Sequence, residues 1–257
     1  MQFSEAINVG GVFRLLQPSF QKAQPFPHIV IDDFLAPDLA RQAEAEFPGP
    51  EAPIWWTYNN PLEKKLACNK VEAIPPTLRV ILEAFNSVGF AKLLVELTGI
   101  SDLQPDPGYH GGGLHALKRG GKLDMHLDYS IHPHLKLERR LNLIVYLNSG
   151  WKEEYGGHLE LWDAQMKRCV VRTLPVFNRA VLFETSDISF HGNPEVVQCP
   201  DTMMRKSVAL YYLTQPRPNA APRPRARFVK RPQDPEDAEL DKFRLERSGF
   251  KDGKAVY

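Results

Sequence analysis

The chain has 257 residues, 43% hydrophobic and 25% charged, with a formal net charge of +1. That balance fits an ordinary globular domain and excludes the overall basic excess of a nucleic-acid binder, so no nucleic-acid partner is expected. Cys68, Cys169 and Cys199 are widely spaced, form no CxxC motif and cannot make a disulfide framework, which points to a reducing compartment. No stretch approaches the roughly 18 apolar residues of a membrane span, and the N-terminus lacks a charged segment followed by an apolar one, so the reading is cytoplasmic with no membrane partner.

At this length a single domain is expected, in three parts: an N-terminal strand and helical cap over residues 1–104, a β core over 105–215 and a C-terminal arm over 216–257. Residues 28–34, HIVIDDF, form a short apolar run, and the pattern LARQAEAEF after Ala36-Pro37-Asp38 predicts a strand feeding a helix. After Pro75-Pro76, apolar residues recur at three- and four-residue intervals through TLRVILEAFNSVGFAKLLVELTG. Asn86-Ser87 interrupts them and Gly99 stops them, which predicts two packed helices. From Tyr109 the texture changes to short β-rich runs: GLHALK, GKLDMHLD, RRLNLIVYLN, GGHLELWD, CVVRTL, RAVLFET, ISFHG, EVVQ and KSVALYYLT. Such spacing predicts a mainly β sandwich or barrel with a helical cap. The closing QPRPNAAPRPRARFVKRPQDP alternates prolines with arginines and reads as an extended, solvated arm lying over the barrel.

Chemistry concentrates in a few polar residues. In a strand, residues i and i+2 share a face, so in GKLDMHLD the imidazole of His126 and the carboxylate of Asp128 project together while Met125 and Leu127 face away. His191, in SFHGNP, supplies a third ligand from a neighbouring strand. Two imidazoles and one carboxylate are the facial triad that holds non-haem Fe(II) and leaves positions open. The same periodicity puts Arg205, Ser207, Ala209 and Tyr211 on one face of RKSVALYYL, and an inward guanidinium on an apolar strand needs an anion. On RRLNLIVYLN the inner face is Asn142, Ile144 and Tyr146, whose polar tips suit a bound acid.

These residues carry a resemblance. HLD, RRLNLIVYLNSGWKEEYGGHLELWD, FNRAVLFETSDISFHG and MRKSVALYYLT resemble the Fe(II)/2-oxoglutarate-dependent oxygenases of the prolyl 4-hydroxylase superfamily, over roughly residues 105–215, and FPHIVIDDFL resembles that group's opening strand and helix. The resemblance implies a double-stranded β-helix, a jelly-roll or cupin-like barrel packed against N-terminal helices. It implies that His126, Asp128 and His191 ligate Fe(II), that Arg205 binds the distal carboxylate of 2-oxoglutarate, and that Tyr146 hydrogen-bonds it. Ser207 matches an RxS form of the anchor, and Leu159 and Tyr211 match positions lining the co-substrate pocket, with Asn142 alongside. The implied reaction couples O2 and oxidative decarboxylation of 2-oxoglutarate, giving succinate and CO2, to C–H hydroxylation, with ascorbate as a reductant.

The substrate, peptidyl or small-molecule, is left open, and His115 and Tyr129 are the residues assigned to touch it. Prolyl hydroxylases commonly place a tyrosine nine or ten residues before the first ligand histidine; Ala116 and Leu117 stand there, next to His115. Asp128 fills the position that halogenating relatives leave small, which disfavours halogenation. His110, His132, His134 and His158 read as polar loop or satisfied, partly buried residues rather than ligands, Arg139 and Arg140 as solvated charge, and Gly156-Gly157 as a turn or bulge. Competing readings are a non-catalytic jelly-roll metal- or ligand-binding sensor, and a cupin-type dioxygenase that does not use 2-oxoglutarate.

Overall fold

The computed structural model describes residues 1–8 and 13–249, so the last residues of the predicted C-terminal arm, 250–257, lie outside the described residues. The helices are α1 (Phe3–Ala6), α2 (Phe13–Lys22), α3 (Pro37–Ala45), α4 (Pro76–Phe85), α5 (Val88–Thr98) and α6 (Ala238–Ser248). The strands are β1 (His28–Ile31), β2 (Trp56–Asn59), β3 (Glu63–Cys68), β4 (Gln104–Pro105), β5 (Gly113–Leu117), β6 (Lys122–Leu127) and β7 (Glu138–Tyr146), then β8 (Leu159–Trp162), β9 (Cys169–Thr173), β10 (Ala180–Glu184), β11 (His191–Asn193), β12 (Arg205–Thr214) and β13 (Arg227–Phe228).

The cap helices begin and end for local reasons. Proline occupies the first turn of α3 and of α4, where no amide donor is needed. The Ser87 hydroxyl accepts from the Phe90 amide at 3.1 Å to start α5, and Gly99, at φ 74°, donates its amide to Val95 O to end it.

The strands form one antiparallel sheet in the order β1-β10-β7-β12-β5-β3-β6-β11-β8-β9, with β13 on β6, β2 on β3 and β4 on β12. It curls into the double-stranded β-helix. Period-two alternation gives each strand an outer and an inner face. Leu141, Leu143 and Val145 of β7 and Val208, Leu210 and Tyr212 of β12 turn outward and join the main core with the cap helices. There the Phe90 ring lies within 6.4 Å of the rings of Phe3, Phe13, Phe85 and Tyr212, and the Tyr212 hydroxyl donates to Phe85 O at 2.9 Å. Inside the barrel a smaller cluster joins Phe26, Tyr146, Leu159, Leu161, Val181 and Phe183.

In its secondary structure the chain departs from the sequence reading in three places. The first third is not all helix after one strand, because β2 and β3 form a hairpin there; Asn60 Oδ1 accepts the amides of Leu62 and Glu63 and closes its turn. EVVQ is not a strand: Val197 exchanges backbone hydrogen bonds with the turn at Gly120 and Gly121, while the Gln198 amide donates to Tyr155 O, so no ladder propagates. The arm is not merely solvated, since it contributes β13 and α6 and buries Phe228 and Arg244. Among the described residues, no helix is long and apolar enough to cross a membrane.

Because Phe90 joins the cap to β12, Phe90→Ala is expected to lower unfolding free energy by about 3–5 kcal/mol in a single cooperative denaturant transition. A second, separate transition would show that cap and barrel do not form one unit.

Candidate active site

β6 and β11 lie side by side with His126 directly opposite His191. The two ring centroids are 4.4 Å apart. Nδ1 of His126 donates to Asp124 O at 2.8 Å, and Nδ1 of His191 donates to Ser189 O at 2.8 Å. A carbonyl oxygen can only accept, so each Nδ1 carries a proton, and in the neutral imidazole each Nε2 is then a bare lone pair. Those Nε2 atoms converge on Asp128, 3.6 Å from Oδ1 for His126 and 3.3 Å from Oδ2 for His191. Ligand atoms of all three residues lie within 4.8 Å of one another. This donor set fits a divalent transition metal with one carboxylate charge, and the backbone bonds set both tautomers for ligation. Burial and then the neighbouring His191 push the His126 pKa down, so its imidazole is neutral at physiological pH.

Asp128 is held by its own partners. Oδ2 accepts from Arg139 Nη2 at 2.8 Å and from Asn142 Nδ2 at 2.8 Å, and Arg139 Nε donates in turn to Asn142 Oδ1 at 2.8 Å. Burial opposes ionisation of Asp128, but the Arg139 guanidinium overrides it and keeps the carboxyl well below the usual range. The guanidinium of Arg139 lies 3.2 Å from the Tyr211 ring centroid and 4.9 Å from that of Tyr129. Arg139 is 4% exposed, which corrects its reading as solvated charge. A register shift in the β7–β12 pairing explains the difference: Tyr212 faces Leu141 and Leu213 faces Arg139, so Arg140 is the extra residue of a bulge and Arg139 turns inward.

A second guanidinium marks the other side of the barrel. Arg205, at the start of β12, is 4% exposed and donates from Nε to Gly157 O at 2.6 Å and from Nη2 to the Tyr146 hydroxyl at 3.2 Å. Among the described residues no acidic side chain pairs with Arg205 within 4.0 Å, so a buried cation stands over the Tyr146 ring, 4.8 Å from its centroid, without a carboxylate of its own. Such a cation is suited to a carboxylate ligand. Gly157 is required for this arrangement: it sits at φ 69°, and a Cβ there would lie 2.9 Å from Arg205 Cδ.

The other candidate residues divide between these two poles. Ser207 faces Tyr146 across β7 and His115 across β5, so both share the inner face with Arg205. Asn142 and Tyr211 gather around Asp128 and Arg139, and the Tyr211 hydroxyl donates to Gly111 O at 2.8 Å. Tyr129 lies edge-on to His110 at 5.2 Å and donates to its carbonyl at 3.3 Å. In the adjoining loop, His132 Nδ1 accepts the amides of His134 and Leu135, so this histidine organises its turn and its Nε2 carries a proton facing Asp106. That tautomer is unsuited to a metal.

Residues 112–213 match the model of the 2OG-Fe(II) oxygenase superfamily. A stretch of 63 residues is 40% identical to the mouse prolyl 3-hydroxylase OGFOD1, covering 23% of this chain and 12% of that protein. Among solved structures, a Pseudomonas putida prolyl-4-hydroxylase superposes with a TM-score of 0.53 at 17% identity, covering 79% of this chain and 100% of its own. A Trichoplax adhaerens prolyl hydroxylase, solved with a hypoxia inducible factor peptide fragment, gives 0.55 at 15% identity and covers 79% and 90%. At these identities the likeness establishes a shared fold.

His115 provides a pH test of the inner face. Burial, then Lys65, Arg205 and Arg139, push its pKa from 6.5 to about 3. Below pH 6.5 the unfolded chain takes up a proton that folded His115 refuses, so this group removes stability as the pH falls through that window, by at most about 1.4 kcal/mol per pH unit. Denaturant unfolding at pH 7.5 and 5 is expected to show a smaller acid loss for His115→Gln than for the natural chain; equal losses would place His115 in contact with solvent.

Proposed function

We propose, from the match of residues 112–213 to the model of the 2OG-Fe(II) oxygenase superfamily, that the protein is a 2-oxoglutarate-dependent hydroxylase acting on a prolyl residue of a peptide or protein. The observation that carries this reading is the pairing of a His126–Asp128–His191 donor set with a buried Arg205 that lacks an acidic partner among the described residues. A simple metal-binding barrel has no use for that second feature. The prolyl assignment is supported by the likeness to the mouse prolyl 3-hydroxylase over 63 residues.

In this reading Fe(II) would be held by His126, His191 and the carboxylate of Asp128. Bound iron, O2 and 2-oxoglutarate together supply an oxidant able to break an unactivated C–H bond, with succinate and CO2 as co-products and ascorbate as a reductant that maintains Fe(II). The chain's own groups do the positioning. Arg139 and Asn142 engage Asp128 Oδ2 and fix the rotation of the carboxylate. Arg205 and the Tyr146 hydroxyl receive the distal carboxylate of 2-oxoglutarate, while Leu159 and Phe183 keep the pocket dry and strengthen that ion pair. Ser207 and His115 line the same face, His115 as a neutral imidazole near the cations Lys65, Arg205 and Arg139. On the opposite side, Tyr129, Tyr211 and His110 form an aromatic wall that suits the apolar ring of proline.

Purified protein given Fe(II), ascorbate and 2-oxoglutarate with a proline-containing peptide library is expected to release succinate and add 16 Da to a peptide, and His126→Ala is expected to abolish both. Arg205→Ala is expected to weaken 2-oxoglutarate binding at least about 30-fold, the equivalent of about 2 kcal/mol, while leaving metal binding within a few-fold. Calorimetry showing no 2-oxoglutarate binding by a metal-loaded protein would overturn the co-substrate, whereas turnover confined to free metabolites would overturn the prolyl substrate.

A further inference from the structure

We propose that the C-terminal arm is the outer clamp of the metal centre, with Phe228 as the positioning residue for His126 and Arg223 as the lock on the far end of β6. The inference rests on the metal-binding role proposed above for the triad. It starts from the edge of β6. On that side β3 pairs with β6 only at Lys122 and Leu123. Beyond this point the edge belongs to β13, with Arg227 facing Leu127 and Phe228 facing His126, and the Val229 amide donates to Met125 O at 2.9 Å. Without the arm, the half of β6 that ends in the ligand pair would be an open strand edge, with backbone groups exposed and free to fray.

The side chains continue the grip. The Phe228 ring lies 5.4 Å from the His126 ring at an interplanar angle of 36°, so this imidazole is bracketed by Phe228 and by the His191 ring at 4.4 Å. Phe228 is 5% exposed, and the Arg247 guanidinium, 2.6 Å from Glu63 on β3, lies 6.0 Å from its ring centroid. Five residues earlier in the arm, Arg223 Nε donates to Asp128 O at 2.6 Å, and the Arg223 amide donates to Ser130 Oγ at 2.7 Å. The Ser130 amide returns a bond to Arg223 O at 2.8 Å, and Arg223 Nη1 pairs with Asp187 at 2.7 Å. Arg231 adds a pair with Glu195 at 2.5 Å, in the segment that follows β11. The arm therefore touches the side chain of one proposed ligand and the backbone of another. Removing those contacts leaves all three ligands in the sequence but widens the range of positions their donor atoms sample. Loss of groups that orient metal ligands weakens metal binding about 10- to 100-fold.

The test uses the full chain in metal-free form, titrated with Co(II) and followed by its visible absorption, together with amide hydrogen exchange. Phe228→Ala and Arg223→Gln are each expected to weaken Co(II) binding at least about tenfold, with Phe228→Leu intermediate. Exchange is expected to accelerate across 122–128 while α4 and α5 keep their natural protection. Should Phe228→Ala not fold, Phe228→Leu and Arg223→Gln carry the comparison. Natural Co(II) affinity in the folded variants, or acceleration in α4 and α5 equal to that in β6, would overturn the clamp. Failure of the natural protein to bind Co(II) would instead overturn the metal reading itself, and the clamp with it.

Discussion

The site depends on one largely enclosed carboxylate. Removing Asp128 from water is unfavourable unless its oxygens are engaged, and Arg139 with Asn142 supplies that compensation at Oδ2. The arrangement then dictates its surroundings. Arg139 needs a place for a flat cation, which the Tyr211 and Tyr129 rings provide, and the β7 bulge is what turns it toward them. The histidines need bare Nε2 atoms, which the carbonyls of Asp124 and Ser189 secure by accepting the Nδ1 protons.

The barrel separates two cations that would otherwise compete for the same acid. Arg139 is neutralised by a carboxylate of the chain, whereas Arg205 is steadied by neutral acceptors, Gly157 O and the Tyr146 hydroxyl, that leave its charge unspent. One barrel thus presents a His-Asp-His pole whose carboxylate is already paired and a cationic pole that has no acidic partner among the described residues. The rigid outer face makes this separation durable, because β7 and β12 are pinned to the cap by close-packed leucine, valine and aromatic side chains. The same rigidity is extended to β6 by β13, which occupies an edge the cap does not reach.

Much of this was legible in the residues. Period-two alternation placed Leu141, Leu143 and Val145 outside and Asn142 and Tyr146 inside, and it put His126 and Asp128 on one face, because a strand's geometry is local. Ser87 and Gly99 marked the ends of α5 for equally local reasons. The misses share a different cause. Arg139 follows strict alternation to the wrong face, since nothing in RRLNL announces that Arg140 is the bulged residue; that is a property of the pairing with β12. The β2–β3 hairpin and the failed EVVQ strand were likewise decided by which backbone groups were available as partners. Pro- and Arg-rich composition in the arm correctly suggested extended backbone, but it could not show that Phe228 finds the His126 ring.

The sequence by itself therefore determined which side chains share a face of each strand, where the cap helices start and stop, and the donor types available for a metal and an anion. These follow from bond geometry and from residues within a turn or two of one another. Only the tertiary structure decided that His191 stands opposite His126, that Arg139 rather than solvent meets Asp128, and that the C-terminal arm closes the edge of β6. Each of those joins residues on different strands or segments, and their register is set by strand pairing, in which a shift of a single residue reverses the face every following side chain presents.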